Sequence, residues 1–446
     1  MASQTKQQAY ETLAANFSTD NPKSKAIHER ARRSLPGGNT RSVLHYEPFP
    51  LSMVQAQGSR LHDADGHEYI DFLGEYTAGL YGHSDPIILA AVREASENGL
   101  SYGSQHEDEV RLAELVKQRF PSMDLMRFTN SGTEATLMAL AVAKMFTGKK
   151  KIVVFANAYH GGAFSFAGGK SSAVNAPHEY LIATYNDLSS VEGLLREERN
   201  RGDVAAIIVE PMMGSGGAIP ADLEFLRGLR RIADNVGAVL VFDEVMTSRM
   251  HSGGGIQSQL EDAERPDLTT LGKYLGGGMS FGAFGGRRGI MELFDPRNPN
   301  ALAHAGTFNN NVLTMAAGRA GLEHVFTPQR AAQLHEQGEL LRKRLQDVCQ
   351  GTILEVTGLG SIMCFHFIRT PATQVKSHKD LLGADATLSG LLHLFLLERD
   401  FYIARRGFVA LSLALDFADV DGFVNAVTKF IQTYRQLIVE KNSCKL

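Results

Sequence analysis

The chain has 446 residues, of which 43% are hydrophobic and 21% charged, with a formal net charge of −4. That balance excludes a fibrous or disordered protein, and the length suits two or three structural units. The one dense basic run, Lys149-Lys150-Lys151, precedes the apolar residues 152–155 and reads as a solvated loop before a buried strand, not as a nucleic-acid contact.

Cys349, Cys364 and Cys444 are odd in number and lack metal-ligand spacing, so neither a disulfide framework nor a metal centre is expected, and a reducing compartment fits. Residues 1–25 are polar and carry no apolar signal core. The longest apolar patch, 388–397, falls well short of the roughly 20 residues of a membrane helix. A cytoplasmic protein is expected. The final Cys444-Lys445-Leu446 is similar to the Ser-Lys-Leu peroxisomal address, which keeps that compartment as the alternative.

In chain order, residues 61–72 hold the turn signal Asp65-Gly66 between two short runs and predict a hairpin. From 76 to 327, helix-length segments alternate with strands that are apolar on both faces (152–155, 205–209, 238–242), the pattern of a parallel sheet covered on both sides. From 328 onward the spacing predicts an amphipathic helix over 328–348, short strands at 353–356, 362–367 and 408–413, and a last helix over 420–438. The reading is therefore α/β: a large, mostly parallel-sheet unit over 76–327, a smaller C-terminal α/β unit over 328–446, and an N-terminal segment, 1–75, packing with the smaller one. Open α/β sheets bind ligands at the carboxyl ends of their strands, so the chemistry is expected in the large unit.

Four local motifs there suit one site. Thr129-Asn130-Ser131-Gly132-Thr133-Glu134-Ala135 opens a helix, and Ser131, Gly132 and Thr133 could cradle an anion with free backbone N–H groups; an ordinary N-cap reads the same way. Ala158-Tyr159-His160-Gly161-Gly162 follows a strand, so Tyr159 could stack flat on a planar ring or simply cover the core. Residues 239–242 form an apolar strand ending in Asp243-Glu244-Val245, and Asp243 could pair with a protonated ring nitrogen. The acids resemble a Walker-B end, but the chain has no GxxxxGK[ST] loop. Finally, Thr269-Thr270-Leu271-Gly272-Lys273-Tyr274-Leu275-Gly276-Gly277-Gly278 places Lys273 among apolar and small residues, surroundings that favour the neutral, carbonyl-attacking amine. Taken singly, each motif has a structural explanation. Together, a phosphate cradle, a stacking ring, a ring-nitrogen carboxylate and an amine nucleophile are what pyridoxal 5′-phosphate requires.

On these residues, with His304-Ala305-Gly306-Thr307-Phe308, the chain resembles the class-III, fold-type-I pyridoxal-phosphate aminotransferases, broadly the group containing glutamate-1-semialdehyde aminomutase. The likeness runs from Ser34-Leu35-Pro36-Gly37-Gly38 to Arg406-Gly407-Phe408. Arg41-Ser42-Val43-Leu44, Glu75-Tyr76-Thr77-Ala78-Gly79 and Arg406-Gly407-Phe408 are more closely similar to the β-phenylalanine aminotransferases, which act on aromatic β-amino acids.

The resemblance implies amino transfer from such a donor to an α-keto acid such as 2-oxoglutarate or pyruvate. It makes Lys273, Asp243 and Tyr159 catalytic. Ser131, Gly132, Thr133, His160, Glu210, Val245, Met246 and Thr307 join them in holding the cofactor, and Arg41, Tyr76 and Arg406 meet the substrate. Glu210 reads equally as a buried structural carboxylate. A homodimer is implied, with Thr307 reaching the phosphate in the second copy. Asn39-Thr40-Arg41-Ser42-Val43 departs from the Asn-Ser-Pro-Val-Arg segment of the aminomutases. Arg405 stands where a proline is expected, so which of Arg405 and Arg406 meets substrate is open. The competing readings are an aminomutase, an amine:keto acid (omega) transaminase, a lyase sharing Lys273 and Asp243, and a cofactor-binding regulator. No helix-turn-helix or basic DNA-binding segment before residue 76 supports the last of these.

Overall fold

The structure is a computed structural model that describes residues 5–369 and 374–439. The chain divides into two compact units, one of Met1–Asp85, Gln337–Thr373 and Leu381–Leu446, the other of Pro86–Glu336 with Gln374–Asp380. The divisions fall about ten residues beyond 75/76 and 327/328. The first lies past the turn at 74–77, which packs on a C-terminal strand, and the second lies within the helix Pro328–Cys349.

The N-terminal part of the first unit holds strands β1 (Met53–Gln57), β2 (Arg60–Asp63) and β3 (Glu68–Asp71), successive antiparallel neighbours. The expected hairpin is β2–β3. Its turn is set by the Asp63 carboxylate, whose Oδ1 accepts the amides of Asp65, Gly66 and His67 at 2.8–2.9 Å.

The large unit contributes β4 (Leu125–Thr129), β5 (Lys151–Phe155), β6 (Glu179–Ala183), β7 (Val204–Val209), the short pair β8 (Met212–Met213) and β9 (Ile219–Pro220), then β10 (Val239–Asp243), β11 (Leu268–Gly272) and β12 (Gly282–Gly286). Seven of these form one sheet in the order β4-β12-β11-β10-β7-β5-β6, parallel except at β12. Strands β7, β10 and β11 are buried along their whole length, which is why β7, and β10 up to Asp243, read as unbroken apolar runs. Lys149 does more than lead into β5: its Nζ donates to the carbonyls of Val236 (2.5 Å) and Gly237 (2.7 Å) at the end of the helix Leu223–Val236.

The C-terminal strands are β13 (Leu354–Leu359), β14 (Ile362–Phe367), β15 (Phe401–Tyr402) and β16 (Phe408–Ala410). Strand β15 joins the N-terminal hairpin, running parallel to β3, while β13-β14-β16 form an antiparallel sheet. The expected last helix is broken at Tyr434 into Phe417–Thr433 and Arg435–Ile438. Cys349 and Cys364 are buried and unpaired, and burial pushes both thiols up to about 12, so neither is a reactive thiolate. Among the described residues, no helix is long and apolar enough to cross a membrane and no His/Cys/Asp/Glu group could hold a metal. The Cys444-Lys445-Leu446 tripeptide lies outside the described residues.

Candidate active site

Within the large unit, four neighbouring parallel strands end together and deliver the predicted residues to one edge. The pair Phe242↔Val209 puts Asp243, the last residue of β10, level with Glu210, the first residue past β7. Asp243↔Thr270 brings β11 alongside, three residues before Lys273. Strand β5, paired Val153↔Ile207, leads into the loop with Tyr159 and His160. This edge is the carboxyl end expected to bind ligand.

Asp243 is almost completely buried. Its Oδ1 accepts the Val245 amide at 3.1 Å, and its Oδ2 lies 2.8 Å from Nδ1 of His160, which is buried as well. The His160 Nε2 is buried without a hydrogen-bond partner among the described residues. Glu210 uses both carboxylate oxygens, accepting from the amides of Tyr159 and Gly214, each at 2.9 Å. Burial pushes Glu210 up to about 7, with the His160 ring and the two amides pulling it down and Asp243 adding to the rise. By holding the Tyr159 amide, Glu210 fixes the loop whose tyrosine stays 44% exposed.

Ser131 caps the helix Gly132–Thr147, its Oγ accepting the Glu134 amide at 3.1 Å. The cap reading therefore holds for Ser131. The cap uses the hydroxyl oxygen as an acceptor only, and the first-turn amides of Gly132 and Thr133 have no intrahelical acceptor, so O–H and N–H donors alike suit an anion. Thr133 Oγ1 accepts the Gly162 amide at 3.0 Å, tying the tyrosine loop to the cradle. A Cβ on Gly161 would lie 2.3 Å from that same Oγ1, so only glycine permits the approach.

Lys273 begins the turn after β11 with φ 59°, a left-handed conformation that re-aims the chain abruptly. A Cβ on the preceding Gly272 would sit 3.5 Å from Gly132 and 3.3 Å from Val245, so the lysine turn packs on the cradle glycine. Val245 also closes over Gly132, and Met246 packs against Gly214. Thr307 is exposed. Its segment is fastened to the cradle by Asn130 Nδ2 donating to Asn309 Oδ1 at 2.9 Å.

Arg41, Tyr76 and Arg406, the residues expected to meet substrate, belong to the other unit and cluster within it. The guanidinium groups of Arg41 and Arg406 lie over the Tyr76 ring at 5.8 and 5.3 Å from its centroid. The Tyr76 hydroxyl donates to Val43 O at 3.1 Å, and its ring stacks on Phe408. Arg405 turns away: a Cβ on Gly390 would lie 3.4 Å from its Nε and Nη2, and its Nε is buried without a hydrogen-bond partner among the described residues. Two contributors escaped the sequence. Glu75 forms an ion pair with Arg41, and Asn309 bonds Asn130. Both pairings join distant segments, and no local pattern announces them.

The large unit thus offers a helix N-terminus with free first-turn amides, a buried carboxylate at a strand end, an exposed aromatic residue and a lysine in the turn after β11. The orphaned His160 Nε2 and the approach at Gly161 suit a bound, planar, phosphorylated ring. These are the parts of a pyridoxal-phosphate enzyme.

The comparisons with known proteins agree. Residues 43–392 match the family model for aminotransferase class-III. A β-phenylalanine transaminase of Variovorax paradoxus is 49% identical over 437 residues, 98% of each chain. A crystal structure of the β-phenylalanine aminotransferase from that organism superposes with a TM-score of 0.94, covering 98% of this chain and all of that one. An uncharacterised aminotransferase of Schizosaccharomyces pombe is 45% identical, over 96% of this chain and 97% of its own length. An omega-transaminase structure from Sphaerobacter thermophilus has a TM-score of 0.84 at 35% identity, covering 92% and 98% of the two chains. The chain belongs to the class-III aminotransferases, and its cofactor is pyridoxal 5′-phosphate.

Proposed function

We propose that this aminotransferase moves an amino group from an aromatic β-amino acid, of the β-phenylalanine kind, to an α-keto acid such as 2-oxoglutarate or pyruvate. The observation carrying this reading is the 49% identity with a β-phenylalanine transaminase over 98% of both chains. The clustering of Arg41, Tyr76 and Arg406 supports it.

In this reading Ser131, Gly132 and Thr133 hold the cofactor phosphate, and Thr307 reaches the phosphate in a second copy of the chain, making the enzyme a homodimer. Tyr159 stacks on the ring. Asp243, oriented by His160, pairs with the ring nitrogen, while Glu210, Val245 and Met246 shape the pocket. Bound there, the cofactor supplies an electron-withdrawing ring that stabilises negative charge on the substrate carbon. Nζ of Lys273 would take the proton from the amine-bearing carbon as general base and deliver it to the cofactor C4′ as general acid. Arg41 grips the donor carboxylate and Arg406 the distal carboxylate of the acceptor, since a planar guanidinium makes paired, charge-assisted bonds. The cytoplasm is the proposed compartment.

Two experiments test this. Lys273→Ala should lose the visible cofactor band and nearly all turnover; full activity in that variant refutes the assigned lysine. A donor panel of β-phenylalanine, β-alanine, α-alanine and a simple aryl amine, run with 2-oxoglutarate and with pyruvate, should favour β-phenylalanine. No conversion of any β-amino acid removes the donor assignment.

A further inference from the structure

The backbone from Gly74 to Thr77 is unusual: four consecutive residues have positive φ, 53°, 46°, 53° and 82°. Three of them carry side chains, for which this left-handed region is sterically disfavoured. The turn is held by its surroundings. Asp71 Oδ1 accepts the amides of Leu73 (2.8 Å) and Gly74 (2.9 Å), Asp71 Oδ2 is paired with His83 Nε2 at 2.8 Å, and Gly79 N donates to Gly74 O at 2.9 Å. A Cβ on Gly74 would lie 2.9 Å from Ala410 O, so β16 fixes the turn from outside.

The left-handed turn buries Tyr76 beneath the guanidinium groups of Arg41 and Arg406, and it sets the carboxylate of Glu75 against Arg41. Both members of that ion pair remain about half exposed, 46% and 50%, so the pair adds little to the fold. A relaxed surface turn could carry a stabilising ion pair; a strained one has to be maintained for another reason. Glu75 offers Arg41 the same chemical group that a donor carboxylate would offer.

We propose that Glu75 is a built-in competitor for Arg41 and so a determinant of donor specificity. It neutralises Arg41 when the bound amine has no carboxylate and gives way when the amine has one. This rests on the reading of Arg41 as the donor-carboxylate receptor. A carboxylate-free amine then binds without leaving an unpaired guanidinium beside it, and a β-amino acid binds against a modest cost of displacing Glu75.

The test is Glu75→Gln beside Arg41→Gln, with kcat and KM measured for β-phenylalanine and for a carboxylate-free aryl amine. In Glu75→Gln the KM for β-phenylalanine should fall about two- to fivefold, the span expected of a half-exposed ion pair, and that for the aryl amine should rise by a similar factor. Neither kcat should change much. Inhibition by 3-phenylpropionate, a carboxylate without an amine, should tighten by the same factor and gives a readout independent of turnover. An unchanged ratio of the two kcat/KM values, or a raised KM for β-phenylalanine, overturns the proposal. Arg41→Gln separates the two readings. If it leaves the β-phenylalanine KM alone, the role of Arg41 is wrong. If it raises that KM while Glu75→Gln changes nothing, only the role of Glu75 is wrong.

Discussion

Nδ1 of His160 lies 2.8 Å from Oδ2 of Asp243, with 1% and 5% of the two side chains exposed. An isolated carboxylate this deep is costly, and the imidazole N–H together with the Val245 amide keeps it satisfied while the orphaned His160 Nε2 remains available. Asp243→Asn preserves shape and removes the charge. Turnover should fall by about two to three orders of magnitude, measured at saturating cofactor. His160→Ala leaves Oδ2 underserved and should cost about 1–3 kcal/mol in urea unfolding.

Glu210 gives a pH prediction. Burial raises its carboxyl from 4.5 to about 7, so the folded chain holds a proton that the unfolded chain has released. Its favourable contribution is complete below about pH 4.5 and is lost as pH rises through about 7. Glu210→Gln cannot titrate, so the difference in Tm between variant and parent should shift in the variant's favour from about pH 5 to about pH 8. A constant difference across that window would mean that Glu210 does not titrate there.

Gly161, at φ 113°, touches Thr133 so closely that an added Cβ would lie 2.3 Å from Oγ1 and 2.7 Å from Cα. Gly161→Ala should therefore push the tyrosine loop off the cradle. Cofactor affinity, followed by titrating the visible band, should fall at least about tenfold, with a stability loss of about 1–3 kcal/mol in the cofactor-free protein.

The two adjacent arginines make opposite predictions. Arg406 overlies Tyr76, so Arg406→Met should raise the KM for 2-oxoglutarate by about 10- to 100-fold and leave pyruvate nearly unaffected. Arg405 packs by Gly390 and beside His393, whose imidazole is pushed down to about 3 by burial and then by Arg405. Arg405→Met should spare the ratio of the two acceptors. Selectivity lost through Arg405 alone would reverse the assignment.

The sequence was most legible where chemistry and local structure share a short stretch. Asp243 ends an apolar run, Ser131 opens a helix, and Lys273 sits in a glycine-rich turn, so strand ends and motif residues could be read together. What escaped were relationships between distant segments. The reversed direction of β12 follows from hydrogen bonding to β4 and β11, which no periodicity records. The Arg41–Glu75 pair spans 34 positions, and Asn130–Asn309 spans 179. That Arg405 packs by Gly390 while Arg406 overlies Tyr76 depends on neighbours outside their own motif.

The pairing of β15 with β3 also has a consequence in time. Phe401 and Tyr402 align with Ile70 and Asp71, so the N-terminal hairpin gains this neighbour about 330 residues after its own synthesis. At roughly 5–20 residues per second, its open edge waits from about 20 seconds to a minute on the ribosome. Meanwhile the residues of the large sheet, gathered in one nearly continuous stretch, have all emerged. An unpaired strand edge is a template for association with other chains, so the early-made hairpin is where a nascent chain is most exposed to misassembly and where a chaperone would matter most.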